Sequence, residues 1–204
     1  MSGIVTQNTL GSSGLVKAVE AGGGTWVEIE TLTSDGSDSS LSFTSGIDST
    51  YPIYCFQFIN IHPETDSTEF QFNGSIDSGS NYNVTKNTTS LYAFHYEDAS
   101  STGAGYSAAN DLAQGTGFQN LADDVGNDND QSASGFLYLF DPSSTVFCKH
   151  FINTGVHSMD DNRVNNRRQA GYFNTTSAID AIQFKMSADE IQGGKIKLFG
   201  IKDS

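Results

Sequence analysis

The stretch Ser134-Gly-Phe-Leu-Tyr-Leu-Phe-Asp-Pro-Ser-Ser-Thr-Val-Phe-Cys-Lys-His-Phe-Ile-Asn153 decides the fold, because it has the pattern of a β-hairpin. Side chains alternate along a strand, so each arm has two faces. The first arm is apolar on both, with Phe136, Tyr138 and Phe140 opposite Leu137 and Leu139. Asp141-Pro-Ser-Ser144 supplies the turn, since proline presets φ at the second turn position. A strand with two apolar faces is typical of a sandwich interior or a subunit interface.

The second arm is expected to alternate in the same way, with Phe147 and Phe151 opposite Val146, Cys148, His150 and Ile152. His150 is therefore interpreted as a buried core histidine. Cys55 and Cys148 both lie in apolar strand patterns and are interpreted as buried thiols that act as small hydrophobic side chains. A Cys55–Cys148 disulfide is the alternative if the two strands face each other.

Similar short strands recur from Thr25 to the end of the chain, about nine or ten in all, with no alternation of strands and long helices. This spacing predicts an all-β fold, an antiparallel β-sandwich of jelly-roll type formed by residues 25–204. Two stretches, Glu97–Ser134 and Gly155–Arg168, are predicted as polar, irregular connections, of which the first is long enough to suggest a function. A short strand or helix around Ala109–Leu121 is the alternative.

Residues 1–24 form a separate N-terminal arm in this interpretation. Gly14–Ala21 could make two helical turns, which Gly22-Gly-Gly24 would end, and a helix this short does not hold alone in water. We expect the arm to order on a partner or a neighbouring subunit and to anchor the domain through Leu15, Val16 and Val19. A frayed terminus is the alternative.

The charge of the chain excludes several classes of partner. It has 24 acidic and 10 Lys or Arg residues, a net charge of −14. Binding to nucleic acid or to an anionic membrane requires a basic surface, so neither is expected. No apolar run approaches the length of a membrane span, and the start of the chain has no signal-peptide pattern. We therefore expect synthesis in the cytoplasm and no membrane insertion.

The densest acidic cluster is Asp123-Asp-Val-Gly-Asn-Asp-Asn-Asp130. Calcium is held by several oxygen ligands of this kind, which makes Asp124, Asp128 and Asp130 candidate ligands. The EF-hand spacing fails, because counting from Asp124 puts Asn129 at position 6 and Gly135 at position 12. A solvated turn is the alternative, and no other cofactor is indicated.

The only concentration of basic residues is Arg163, Arg167 and Arg168. We interpret these arginines as a contact to an acidic partner, which includes a second copy of the chain. Local pairing with Asp160 and Asp161 is the alternative. Aromatic side chains on strand and loop positions can stack on sugars, and the candidates for a glycan contact are Tyr82, Tyr92 and Tyr106.

No catalytic motif is present: the sequence lacks a Gly-x-Ser-x-Gly elbow, a P-loop, a dinucleotide fingerprint and a His-Glu-x-x-His pair. The sequence therefore predicts a protein that is not an enzyme. A glycan hydrolase is the weakest of the hypotheses that we keep, since its two carboxylates need not be close in sequence.

Several segments resemble virion structural proteins of marine and cyanobacterial tailed phages, variously described as tail-fibre-like or decoration proteins. The matching segments, which begin with Leu41-Ser-Phe-Thr-Ser-Gly-Ile-Asp-Ser-Thr-Tyr51, continue with Phe58–Pro63, Ser80–Thr85, Gly126–Gln131, Phe140–Thr145, Ala170–Ser187 and Lys195–Ile201. Their order and number carry the resemblance, which covers most of residues 41–202. It implies a non-enzymatic virion component and supplies no catalytic residues.

These observations lead to one principal hypothesis and one alternative. The principal hypothesis is a structural protein on the surface of a bacteriophage virion, either a fibre- or spike-like appendage or a capsid decoration protein. Its expected partners are capsid or tail proteins, two further copies in a homotrimer, and host surface glycan. The alternative is a free carbohydrate-binding β-sandwich module.

Overall fold

The computed structural model describes residues 26–202, which contain β-strands and their connections but no helix. In chain order the strands are β1 (Trp26–Thr33), β2 (Leu41–Phe43), β3 (Ile53–Pro63), β4 (Thr68–Ser75), β5 (Lys86–Tyr96), β6 (Thr102–Tyr106), β7 (Gln119–Val125), β8 (Ala133–Phe140), β9 (Lys149–Ser158), β10 (Arg163–Phe173), β11 (Ala181–Met186) and β12 (Ile191–Ile201). Within this range, nothing helical is long and apolar enough to cross a membrane.

The strands form two antiparallel sheets. The larger has the order β1-β12-β3-β8-β9-β10-β5-β6, and the smaller has the order β2-β11-β4-β7. Their facing sides enclose the aromatic core, which confirms the predicted β-sandwich. The jelly-roll topology stays a prediction.

The core is built from phenylalanines that meet across the two sheets. The ring centroid of Phe72 on β4 lies 5.1 Å from that of Phe151 on β9 and 6.1 Å from that of Phe173 on β10. Phe58 and Phe70 make a second contact between the sheets, at 5.3 Å. Burial of each such ring stabilises the fold by about 1.5–3 kcal/mol.

The hairpin predicted from Ser134–Asn153 is present at the centre of the larger sheet, where β8 pairs with β9. Leu137 and Leu139 are buried in the core. Asp141 and Ser144 close the turn through a backbone hydrogen bond of 3.1 Å. The prediction that Phe147 shares a strand face with Phe151 is wrong, because β9 begins only at Lys149.

The connection before β9 is held by a side chain. The Ser144 hydroxyl accepts hydrogen bonds from the backbone amides of Val146 and Phe147, which removes both donors from the ladder. Both side chains are therefore exposed. His150 is also exposed, on the side of the sheet that faces away from the core, so its interpretation as a core histidine is wrong.

The two stretches predicted as irregular are largely strands. Glu97–Ser134 contains β6, β7 and the first residues of β8, which raises the strand count to twelve. Gly155–Arg168 contains the end of β9, a tight turn at residues 159–162 and the start of β10, in a hairpin whose register pairs Gly155 with Arg167. Both cysteines are free, Cys55 buried and Cys148 partly exposed, so the alternative of a disulfide is wrong.

Two buried lysines flank one ring of the core. Phe173 pairs with Lys86 on β5 and with Lys149 on β9, and both lysines are fully buried. The Lys86 ammonium group donates to Asn73 Oδ1 at 2.5 Å and to the Val84 carbonyl at 2.9 Å. Burial lowers the pKa of Lys86 to about 7.

Candidate functional site

The smaller sheet covers only part of the inner face of the larger one. Its last strand, β7, contacts β9 and β10. Because the smaller sheet stops at β7, it leaves one end of β5 and of β10 uncovered. A cleft of about 220 Å³ lies at this uncovered end. Its lining is Tyr92, Phe94, Ser107, Asp123, Met159, Arg163, Asn165 and Arg167. We call it the aromatic cleft.

Two aromatic rings on β5 form one wall of the aromatic cleft. The rings of Tyr92 and Phe94 are nearly parallel, with an interplanar angle of 16° and centroids 6.1 Å apart. They pair with Gly105 and Gly103 on the edge strand β6. A Cβ at Gly103 would lie 2.9 Å from the Phe94 ring, and one at Gly105 would lie 3.1 Å from the Tyr92 hydroxyl. The glycines therefore make room for the rings to lie over β6.

A partly exposed arginine borders the rings at one end. The Arg163 guanidinium lies over Phe94 at 5.1 Å and over Tyr96 at 5.4 Å. Its Nε is 3.1 Å from an Asp161 carboxylate oxygen. Asp161 also accepts a hydrogen bond from the Tyr96 hydroxyl at 2.9 Å. These contacts fix the arginine and neutralise its charge.

The back of the cleft is an ion pair between the two sheets. Arg167 on β10 is buried, and its Nη2 contacts Asp123 Oδ1 on β7. Asp123 also accepts hydrogen bonds from Asn165 Nδ2 at 3.2 Å and from Asn110 Nδ2 at 3.1 Å. His157 Nε2 lies 3.3 Å from Asp123 Oδ1, at an angle that makes no hydrogen bond.

This environment holds Asp123 ionised. Burial by itself opposes the charge, but the adjacent His157 ring and the Arg167 guanidinium outweigh it, so the pKa of Asp123 lies far below its usual value. The pKa of the next residue, Asp124, is shifted in the opposite direction. Burial raises the pKa of Asp124, and repulsion from Asp123 adds to the shift.

Two side chains of the cleft lining carry a buried polar atom without a hydrogen-bond partner among the described residues. They are Arg167 Nε, a donor, and Asn165 Oδ1, an acceptor. Both side chains are at least nine-tenths buried. Buried polar groups are almost always hydrogen-bonded in native proteins. Two unpaired atoms of opposite type at one cleft therefore indicate a place where a polar molecule completes the structure.

The structure separates the three tyrosines proposed for glycan contact. Tyr92 lines the aromatic cleft. Tyr106 pairs with Leu91 and points to the opposite, outer face of the same sheet. Tyr82 lies in the connection after β4, where its hydroxyl is close to Gly79. Of the three candidates, only Tyr92 belongs to this site.

The structure also separates the three arginines. Arg163 and Arg167 point to the inner face of the larger sheet, and Arg168 points to the outer face. The alternative of local pairing holds for Arg163, which pairs with Asp161. Arg167 is buried against Asp123, so an exposed contact to an acidic partner would rest on Arg163 and Arg168.

The acidic cluster is not gathered around one point. Asp123 and Asp124 lie on β7, whereas Asp128 and Asp130 are exposed in the connection that follows. Among residues 26–202 no three His, Cys, Asp or Glu side chains are placed to hold a metal ion together. Binding of calcium by Asp124, Asp128 and Asp130 stays a prediction.

The outer face of the larger sheet is a second candidate surface. Six large apolar side chains, each between 42% and 52% exposed, point outward from five of its eight strands: Trp26, Leu91, Tyr106, Ile152, Val156 and Val164. An apolar groove of about 360 Å³ crosses this face between Phe140, Ile152 and Tyr172. Exposed apolar surface in one continuous region marks an interaction site.

This outer face also carries few acidic groups. The chain has 24 Asp and Glu residues, yet β3, β5, β6, β8, β9, β10 and β12 contain none of them. The only carboxylates in the larger sheet are Glu28 and Glu30 on the edge strand β1. Apart from these two, the acidic side chains of residues 26–202 lie in the connections and in the smaller sheet, so the outer face is poor in negative charge on an otherwise acidic protein.

Comparisons of the chain with protein families, characterised proteins and solved structures find no match. The proposed anchor residues Leu15, Val16 and Val19 lie outside the described residues.

Proposed function

We propose that the chain is a non-enzymatic structural component of a bacteriophage virion, displayed on the particle surface as a fibre- or spike-like appendage or as a capsid decoration protein. The observation that carries the proposal is the apolar outer face of the larger sheet, which has the composition of an assembly surface. The resemblance of residues 41–202 to virion proteins supports it.

The partner that best fits the outer face is another copy of the chain. Cores of subunit interfaces are depleted in charge and enriched in aromatic and aliphatic side chains, and this face combines exposed apolar side chains with few carboxylates. Two copies with a net charge of −14 each repel one another over most of their surface. The seven strands without carboxylates are where that repulsion is weakest. A homotrimer, in which each subunit buries this face, is the arrangement that we propose.

In this proposal the N-terminal arm attaches the domain to capsid or tail proteins, and the protein is made in the host cytoplasm before it enters the virion. Removal of residues 1–24 should leave a folded sandwich that does not enter particles. Truncated protein found in particles at full occupancy would contradict the anchoring role. Electron microscopy of intact particles labelled with an antibody to the domain distinguishes a head location from a tail location.

The assembly surface is tested by a pair of matched substitutions. Ile152 lies on the outer face and Ile76 follows β4 on the smaller sheet, and each is 45% exposed. Ile152→Glu should convert the oligomer into a monomer in size-exclusion chromatography with light scattering, whereas Ile76→Glu should leave the mass unchanged. A monomeric wild-type protein, or the same mass for both variants, would contradict the proposal.

The aromatic cleft favours a second candidate, a free carbohydrate-binding module. This candidate predicts a monomer that binds sugar, so the mass measurement separates it from the virion component. The cleft supports a binding role more than hydrolysis. Asp123 is the only carboxylate in its lining, and that group is already paired with Arg167, whereas glycoside hydrolysis generally uses two carboxylates.

A further inference from the structure

We propose that the aromatic cleft binds one neutral sugar residue, with Tyr92 and Phe94 against its C–H face and with Arg167 and Asn165 bonded to its hydroxyls. The proposal extends the display role above by naming a ligand class and a location. It holds equally for a virion component and for a free module, and its test requires only the purified chain.

The polar atoms indicate the type of ligand group. Arg167 Nε needs an acceptor and Asn165 Oδ1 needs a donor. A hydroxyl both donates and accepts, so two neighbouring hydroxyls satisfy both atoms. A carboxylate or a phosphodiester offers only acceptors and would leave Asn165 Oδ1 unpaired, and an ammonium group would leave Arg167 Nε unpaired.

The charges of the cleft are balanced without a ligand. Arg167 is paired with Asp123, and Arg163 is paired with Asp161. An anionic sugar would have to compete with these carboxylates and with the net charge of −14. The cleft therefore favours a sugar without a carboxylate or sulfate group.

The aromatic wall supplies the apolar half of the site. A pyranose ring has one face of C–H groups, which pack against an aromatic ring much as other apolar groups do. Tyr92 and Phe94 are half-buried and nearly parallel, and they share the cleft lining with both unpaired polar atoms. Apolar and polar recognition thus meet in one place, as in most small-molecule sites.

The volume limits the ligand. Pockets for drug-sized molecules span about 300–1,000 Å³, and this cleft has about 220 Å³. It accommodates a single sugar residue, such as the end of a longer glycan whose remainder lies in solvent. Two larger depressions in residues 26–202, of about 590 Å³ and 360 Å³, are not lined by any of the unpaired buried polar atoms.

The test is a titration of purified protein with methyl glycosides of glucose, galactose, mannose and xylose, with sialic acid and a sulfated sugar as charged probes, followed by calorimetry and saturation-transfer NMR. We expect at least one neutral glycoside to bind in the millimolar range, with saturation transfer to its C–H protons. Tyr92→Ala and Asn165→Leu should each weaken binding by roughly tenfold or more. Tyr92→Phe, which keeps the ring, should bind within about threefold of wild type.

Two control variants lie on the opposite face of the same strands, His95 on β5 and Asn166 on β10. His95→Ala and Asn166→Leu should leave the affinity unchanged, and thermal unfolding should show that every variant is folded. The proposal is overturned if no neutral glycoside binds, if only the charged sugars bind, or if His95→Ala weakens binding as much as Tyr92→Ala does. None of these outcomes affects the mass of the oligomer, so a failure here leaves the assembly proposal intact.

Discussion

Arg167 and Asp123 form an ion pair that joins the larger sheet to the smaller one at the open end of the sandwich. The arginine is almost fully buried, with 2% of its side chain exposed, and the carboxylate has 17% exposed. The other terminal nitrogen of Arg167, Nη1, donates to the Ser90 hydroxyl at 3.2 Å. The pair therefore closes the core on the side where the apolar contacts between the sheets end.

Removal of one partner of this pair should be costly. Asp123→Asn leaves the Arg167 charge buried without compensation, and breaking such a pair typically costs about 3–5 kcal/mol. We expect a loss near the lower figure in urea unfolding, because Asp123 is not fully buried. Asp124→Asn is the matched control on the same strand. Its pKa is raised by burial and by Asp123, so removal of its charge should not destabilise the fold. Equal losses in the two variants would show that the ion pair has no special role.

The stability of the protein should rise between pH 7 and pH 9 because of Lys86. In the unfolded chain a lysine keeps its proton up to about pH 10.4, while the folded protein releases it near the Lys86 pKa of about 7. The unfolded state therefore binds more protons in this range, and the free energy of unfolding increases with pH by up to about 1.4 kcal/mol per unit.

The contribution of Lys86 is measured by comparing how the free energy of unfolding depends on pH in two variants. Lys86→Met should lack this slope, whereas Lys197→Met, at the surface beside Glu28, should keep it. The rise in stability should end near pH 9. Above that pH the Cys55 thiol ionises in the unfolded chain but not in the folded protein, where its pKa is raised, and this difference favours unfolding. Parallel pH profiles for wild type and Lys86→Met would contradict the assignment.

The two cysteines should differ in reactivity. Burial raises the pKa of Cys55 to about 12, and the Tyr138 hydroxyl only partly offsets this effect. A thiol reagent reacts with the thiolate, so at pH 8 it should label only Cys148 in the folded protein and both cysteines in urea. Cys148→Ser should abolish labelling of the folded protein. Rapid labelling of Cys55 without denaturant would contradict its burial in the sheet.

The glycine opposite Phe94 should be required for the aromatic wall. Gly103→Ala places a Cβ 2.9 Å from the Phe94 ring, so the ring must move towards the cleft, at a cost of about 1–3 kcal/mol for overpacking. Gly117→Ala is the control, because its Cβ would meet no atom within 4 Å. We expect lower stability in thermal unfolding for the first variant only. A Gly103→Ala protein as stable as wild type would show that the ring is not constrained by β6.

Apolar alternation predicted the strands that build the core. The hairpin of β8 and β9 is visible in the sequence because its inward side chains are Leu137, Leu139 and Phe151. The same rule missed β6, where Gly103, Ala104 and Gly105 have no side chain large enough to show a period of two. It also missed most of β10, where the inward residues Asn165, Arg167 and Gln169 are polar.

Those polar residues could not be recognised as interior ones from sequence alone. Their burial depends on partners from distant parts of the chain: Asp123 for Arg167, and the Asn153 side-chain amide and the Asn120 backbone carbonyl for Gln169. Strand order and register bring these groups together, and neither was fixed by the sequence pattern. The sequence therefore indicates Tyr92, Arg163 and Arg167 as separate candidate contacts, but not that they line one cleft.

Because the smaller sheet ends at β7, the residues of the core and those of the cleft are largely different and can be substituted independently. The phenylalanines that hold the sheets together lie on the covered side of β7. The side chains that line the aromatic cleft come largely from the β5–β6 hairpin and the start of β10. Exchange of the hairpin between Leu91 and Tyr106 alters the cleft without removing a core phenylalanine. The residues that line the cleft can therefore be exchanged while the aromatic core between the sheets is kept.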